Sequence, residues 1–289
     1  MGSSHVVAFC PGQISGYFLP VISENPDESG SCGAGLVISE GVKVTASRNP
    51  VSSVDVYQTD RTGMPNKIAE SSNIIMNLLD ALDVSASITT CCHLPIGCGY
   101  GMSAAALLGA THALNRLFQF GMNEHECARL AHRLEVMERS GLGDVSGCQG
   151  GGFVVRVTPG PDGEIYRTMD TRSIFAITIS PIKTSSVLSS PEQIEKFKRA
   201  YPTTIPKTLD EFMTVARKFA EGTGLITEDV RNILLKCDAH GIPASMTMLG
   251  NGVFATGRDA EKILSGFGNV YRLSLSPGGP RILHGEYLS

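Results

Sequence analysis

Three glycines spaced two apart lead straight into a run of small side chains in "LPIGCGYGMSAAALLGATHALN", Leu94 to Asn115. Few structures suit such a stretch except a loop feeding a helix that its neighbours approach closely. Glycine supplies positive φ and lets backbone amides come near a ligand or another chain segment. Ala104 to Ala106 leave the first helical turn uncluttered. A helix amino end with free N–H groups and a positive dipole attracts anions. No Asp or Glu lies between Leu94 and Asn123 to repel one. Leu107, Leu114, Leu117 and Phe118 fall on one face of the helix expected from Ser103 to Phe118. On this stretch alone, a phosphate cradle and a plain loop-to-helix turn both remain open. The standard mononucleotide loop needs a lysine after its last glycine, and the chain has no Gly-Lys pair. The dinucleotide fingerprint needs an acidic residue about 20 positions on, and that partner is absent.

Composition narrows the function classes. With 289 residues, 42% apolar and 18% charged, the chain can bury a large core in one or two domains. A net charge of −4 without a basic run argues against a nucleic-acid or anionic-membrane surface. No apolar stretch reaches the roughly 18 residues of a membrane span. The N-terminus shows no basic region followed by an apolar core, so a cytoplasmic protein is expected. Cys10, Cys32, Cys91, Cys92, Cys98, Cys127, Cys148 and Cys237 include no CxxC pair, which predicts free thiols rather than a zinc site. His125, Glu126 and His132 do not make HExxH, and the neighbours Cys92 and His93 point to opposite faces of a strand.

Strand-like runs fall at "HVVAFC", "GLVIS", "VKVTAS", "SASITTCCHL", "GGFVVRV" and "IFAITIS". Helix-like runs fall at "NKIAESSNIIMNLLDAL", Ser103–Phe118, Glu124–Arg139, "SPEQIEKFKRAY", "TLDEFMTVARKFAEGTG", "TEDVRNILLKCDAHG" and "RDAEKILSGFG". The turn cluster Thr158–Glu164 divides a strand-rich half from a helix-rich half, and predicts an α+β protein in two lobes, 1–160 and 161–289.

Two further stretches carry chemistry. In "LAHRLEVMERSGLGDVSGCQGGGFVVR", Cys127, Leu130, Leu134 and Met137 make an apolar helical stripe bordered by Glu135. The helix ends at a glycine turn that delivers Asp144 into a loop, a placement suited to a general base or an orienting group for a hydroxyl. A second carboxylate from the helix suits Mg²⁺, which takes oxygen ligands and usually only one or two from protein. Glu135 pairing with Arg139 and Asp144 capping a turn are the alternatives. In "ASMTMLGNGVFATG", Met246 and Met248 alternate as in a strand and Gly250-Asn251-Gly252 permits the turn of a hairpin.

In this order the three stretches resemble the GHMP kinase superfamily, which includes galactokinase, homoserine kinase and mevalonate kinase. Its phosphate loop P-x-x-x-G-L-G-S-S-A is matched from Pro95 to Ala104, with Tyr100 in place of Leu and Met102 in place of the first Ser. The resemblance implies a two-lobed fold, with an N-terminal ribosomal-protein-S5-like lobe and a C-terminal ferredoxin-like α/β lobe. It implies ATP and Mg²⁺ as cofactors and phosphorylation of a small-molecule alcohol. Pro95, Gly97, Cys98, Gly99, Tyr100, Gly101, Met102, Ser103 and Ala104 are then the implied ATP-phosphate residues, Ser103 and Glu135 the implied metal ligands, and Asp144 the implied catalytic acid-base.

Within the superfamily, "PGQISGYF", "GAG" at 33–35, "LAHRLEV", "GLGDV", "ARKFAEGTGL" and "MLGNGVFA" look like the archaeal branch that phosphorylates pantoate on the way to coenzyme A. Gln13 stands where that branch's N-terminal motif usually carries histidine. Gln13, Ser15, Tyr17, Gly250, Asn251 and Gly252 are the candidate acceptor contacts. Arg61, Arg139 and Lys183 are the candidate cations for an acceptor carboxylate. Homoserine, mevalonate or a sugar as acceptor, and a non-catalytic binding module on the same scaffold, are the rival readings. A homodimer is the default assembly.

Overall fold

The computed structural model describes residues 5–60, 62–182 and 187–283. The first sheet is built on two long antiparallel strands, β1 (His5–Val21) and β2 (Gly30–Arg48). The short strand-like runs in the sequence thus belong to longer elements. Bulges at Pro11/Gly12 and Ser15/Tyr17 let β1 bend through residues that would otherwise end it. Gly41 is needed there because a Cβ would lie 2.0 Å from the Cys10 carbonyl oxygen.

β3 (Ser53–Thr59), β4 (Pro65–Ala69) and β5 (Ala86–Cys92) extend the sheet, with β5 between β2 and β3. The helix expected over "NKIAESSNIIMNLLDAL" is shorter, α1 (Asn73–Ala81), because Pro65–Ala69 pairs with β3 instead. Two helices follow, α2 (Met102–Phe118) and α3 (Glu124–Met137), then the single turn α4 (Asp144–Cys148). β6 (Phe153–Arg156) pairs with the first half of β2 and with β7 (Ile165–Thr168). Thr158–Glu164 is therefore the turn of a hairpin inside the first sheet, and the chain crosses to the second sheet after β7.

That second, antiparallel sheet contains β8 (Ile174–Pro181), β9 (Ala244–Met246), β10 (Gly250–Thr256) and β11 (Tyr271–Leu273) in the order β11-β8-β10-β9. It carries α5 (Pro191–Ala200), α6 (Leu209–Thr223), α7 (Glu228–Asp238) and α8 (Ala260–Leu264). The last strand, β12 (Arg281–Leu283), returns to pair with β1. Phe212 on α6 joins the two halves, with ring centroids 5.1 Å from Phe153 in the first sheet and 6.1 Å from Phe254 in the second. A single apolar core runs through both.

α2 is buried almost all round rather than on one stripe. Its small residues make that possible: a Cβ on Gly109 would meet Val44 at 3.0 Å and Cys10 at 3.3 Å. On α3 the buried face is rotated from the expected stripe. Met137 is 61% exposed, whereas His132 and Glu135 are each 1% exposed. The two polar side chains lie against each other, with His132 also bonded to the Ser29 carbonyl and Glu135 packed against Gly141.

Candidate active site

The segment between β5 and α2 is a loop with three left-handed glycines, Gly97 (φ 75°), Gly99 (φ 80°) and Gly101 (φ 65°). Gly101 stands immediately before α2, whose first turn has neither a side-chain cap nor an acidic residue. Its amide N–H groups are thus free to meet an anion. Both sheets hold the loop in place. The Gln13 amide donates to the Tyr100 carbonyl at 2.9 Å, the Ile182 amide donates to the Gly97 carbonyl at 2.8 Å, and the Tyr100 hydroxyl pairs with Thr178 Oγ1 at 3.0 Å. Gly97, Gly99, Tyr100, Gly101, Met102, Ser103 and Ala104 line a pocket at the amino end of α2, and Ser103 is exposed there. Pro95 and Cys98 are not among the lining residues; the Cys98 side chain is buried behind the loop.

The opposite wall of this pocket carries Ser15, Ser31, Gly143, Asp144 and Arg156. Asp144 is not in an open loop, as the glycines around it suggested, but is the first residue of α4. Its Oδ1 accepts hydrogen bonds from Gln13 Nε2 at 3.1 Å and Ser15 Oγ at 3.3 Å, and Gln13 Nε2 also donates to Ser15 Oγ at 3.0 Å. Burial, and then the charge of Glu135, push the Asp144 carboxyl up to about 6, against the opposing pull of Arg156 and the two hydrogen bonds. A carboxyl at that value is ionised at neutral pH yet still basic enough to take a proton.

Glu135 does not pair with Arg139. Its Oε2 is buried without a hydrogen-bond partner, 3.8 Å from His132 Nδ1. His132 Nε2 donates to the Ser29 carbonyl at 2.8 Å. Burial disfavours the charged imidazole, but the nearby Glu135 carboxylate and the Ser29 carbonyl outweigh it and raise the His132 pKa. Gly141 separates Glu135 from the pocket, and a Cβ on that glycine would lie 2.5 Å from Glu135 Oε1. Ser103 lines the pocket and Glu135 does not; its unpartnered carboxylate oxygen and the exposed Ser103 hydroxyl are each oxygen donors of the kind Mg²⁺ takes when phosphates complete its shell. Among the described residues no three of His, Cys, Asp and Glu come together as a metal-holding group.

The structure redistributes the other candidates. Ser15 lines the pocket. Gln13, 1% exposed, contacts Asp144 rather than the open space. Tyr17, 2% exposed, is a core residue packed edge-on against Tyr201 and Phe219, where burial pushes its hydroxyl pKa up. Gly250, Asn251 and Gly252 open β10, and the turn before it runs from Thr247 to Gly250, whose amide donates to the Thr247 carbonyl at 3.0 Å, with Leu249 at φ 61°. Gly250 abuts the Gly97–Gly101 loop itself: a Cβ would lie 2.1 Å from the Cys98 carbonyl carbon and oxygen. Asn251 is engaged with Ser180 at 2.9 Å and Thr227 at 2.8 Å. Met248 and Leu249 reach the pocket instead. Arg139 is exposed and lines a neighbouring hollow with Ile22 and Met137, while Arg61 and Lys183 lie outside the described residues.

Among the described residues, the cation that lines the pocket is Arg156, at the end of β6, which was not among the candidates. It is 1% exposed. Nε donates to the Ser31 carbonyl at 3.3 Å and Nη2 to Ser31 Oγ at 3.4 Å, but Nη1 has no partner. Burial lowers its pKa, and the charges of Asp144 and Glu135 oppose that. A signal for it existed in the sequence: an arginine closing the apolar run "GGFVV" must be buried with a strand that is otherwise all core.

This geometry can hold a polyphosphate at one wall and, at the other, accept a proton beside a buried positive charge. Comparison with known proteins agrees with it. Residues 67–152 match the model of the GHMP kinases N terminal domain. The chain is 60% identical over 286 residues to a pantoate kinase of Methanospirillum hungatei, covering 99% of each chain. It is 32% identical over 268 residues to a pantoate kinase of Thermococcus kodakarensis, covering 88% of each. A solved phosphotransferase related to the CoA biosynthesis pathway superposes with a TM-score of 0.81 at 28% identity, over 99% of this chain and 100% of that one. With full-length identity at that level and a glycine loop at a helix amino end facing Asp144, the chain belongs to the GHMP kinases, and among them to the pantoate kinase family.

Proposed function

We propose that this kinase transfers the γ-phosphoryl group of ATP to the primary hydroxyl of (R)-pantoate, giving 4-phosphopantoate and ADP in coenzyme A biosynthesis. The observation that carries the acceptor is Arg156. A buried guanidinium with an unused Nη1, lining the same pocket as Asp144, calls for an anionic partner, and pantoate brings a carboxylate. The two relatives named above are pantoate kinases, which favours the same acceptor.

Phosphoryl transfer needs positioning and charge neutralisation more than covalent chemistry from the protein. The amides of the Gly97–Ser103 loop and the start of α2 hold the β- and γ-phosphates. Gln13 and Ser15 occupy Oδ1 of Asp144, which leaves Oδ2 for the acceptor hydroxyl. As that oxygen attacks the γ-phosphorus, its proton passes to Asp144 and the bond to the β,γ-bridging oxygen breaks, with ADP leaving. Arg156 fixes the carboxylate end so that the hydroxyl is held against Asp144. Ser103 and Glu135 are the residues that would hold Mg²⁺, which supplies neutralisation of phosphate charge when bound. The same reading makes this a cytoplasmic homodimer acting on small molecules, not on nucleic acid or membrane; no helix among the described residues is long and apolar enough to cross a membrane.

The test is ADP release with Mg-ATP and pantoate, pantothenate, homoserine or mevalonate. Turnover with pantoate alone supports the proposal. Turnover with another acceptor instead keeps the kinase and removes pantoate; ATP binding without turnover on any of them points to a binding module.

A further inference from the structure

Arg167, on β7, belongs to none of the motifs discussed above. Its guanidinium has no carboxylate partner among the described residues and is spent on three backbone carbonyls. Nη1 donates to Gly147 and Gly151, both at 3.0 Å, and Nη2 donates to Ser146 at 3.1 Å. Burial lowers its pKa to about 10, so it stays charged at neutral pH. Charge-assisted bonds of this kind are roughly twice as strong as neutral ones.

The carbonyls it gathers belong to the end of α4 and to the glycine loop behind it. That short helix has no side-chain cap at its start and no basic residue of its own in its last turn. The loop behind it, Gly150-Gly151-Gly152, has no side chains with which to anchor itself. Gly150 also makes the room for the clamp, since a Cβ there would lie 2.6 Å from the Arg167 Cζ and Nε atoms. The other end of the same single turn is Asp144. We infer that Arg167 is a positioning residue: by clamping the far end of α4 it sets where the Asp144 carboxylate points.

The inference rests on Asp144 acting as the base, so the two are tested side by side on pantoate and ATP. Arg167→Ala is expected to lose on the order of 100-fold in kcat, the cost of a displacement of about 1 Å at the reacting group. KM for ATP is expected to stay within about twofold, because the clamp does not touch the phosphate loop, and ethylguanidinium is expected to restore part of the rate. Gly150→Ala displaces the guanidinium without removing it and should lower kcat in the same way. In the double variant it should cost nothing beyond Arg167→Ala, since the group it displaces is gone. A folded Arg167→Ala enzyme with kcat within about threefold of the wild type overturns the inference, as do additive effects in the double variant. If Arg167→Ala does not fold, Gly150→Ala decides alone: lost kcat at unchanged ATP KM supports the clamp, and unchanged kcat removes it. Asp144→Asn separates the two ideas: wild-type turnover in that variant would remove the base and this inference with it, whereas lost turnover there beside unchanged kcat in Arg167→Ala would remove the clamp alone.

Discussion

Replacing Asp144 by Asn should make the enzyme nearly inactive and, at alkaline pH, more stable. Both effects follow from the same carboxylate. As a base that takes the acceptor's proton, it is worth roughly 10²–10⁴-fold in rate. As a half-buried carboxylate that also feels the charge of Glu135, it has been moved from its ordinary 3.8 to about 6. At about 1.4 kcal/mol per tenfold change in proton affinity, the ionised native state is at most about 3 kcal/mol less stable than it would be with an unperturbed group. The amide keeps the shape and can accept the hydrogen bonds of Gln13 and Ser15 through Oδ1, without the charge. Native Asp144 holds its proton to higher pH than the unfolded chain does, so this group's contribution to stability falls as pH rises from 3.8 through about 6. The Asn variant lacks that fall. Urea unfolding at pH 8 should therefore show it more stable than the wild type, with the gap closing below about pH 4. In the wild type, kcat/KM for pantoate should drop tenfold per pH unit below about pH 6. A variant that is less stable than the wild type at every pH, or a wild-type rate flat down to pH 5, would refute the argument that burial tunes this carboxyl.

Other substitutions address the remaining walls of the pocket. Arg156→Met should cost on the order of 100-fold or more in kcat/KM for pantoate, chiefly in KM, since the acceptor carboxylate loses its partner. The acidic limb of its pH profile should also move to higher pH, because Arg156 is one of the groups that lower the Asp144 pKa. Gly250→Ala would set a Cβ 2.1 Å from the Cys98 carbonyl and push the Gly97–Gly101 loop proposed to hold the ATP phosphates. Overpacking of about 1–3 kcal/mol should appear as roughly a tenfold rise in KM for ATP, with KM for pantoate little changed.

Sequence by itself carried the local chemistry. Positive-φ glycines, a helix start without acidic residues, and an aspartate beside a glycine turn are properties of a few consecutive residues, and they were legible as such. So was the α+β alternation and, through the order of the motifs, the superfamily. Contacts between residues far apart in the chain were decided only in the tertiary structure. Gln13 and Tyr17 are four positions apart, yet the bulge in β1 sends one to Asp144 and the other into an aromatic core. Gly250 reads as a turn residue until β10 is laid against the Cys98 carbonyl. Arg156 gains its meaning from Ser31, 125 positions away, and from the two carboxylates that share its buried surroundings. Periodicity records which face of an element is buried, but what lies against that face depends on packing across the fold, and at this site the partners are charges that one-dimensional patterning does not encode.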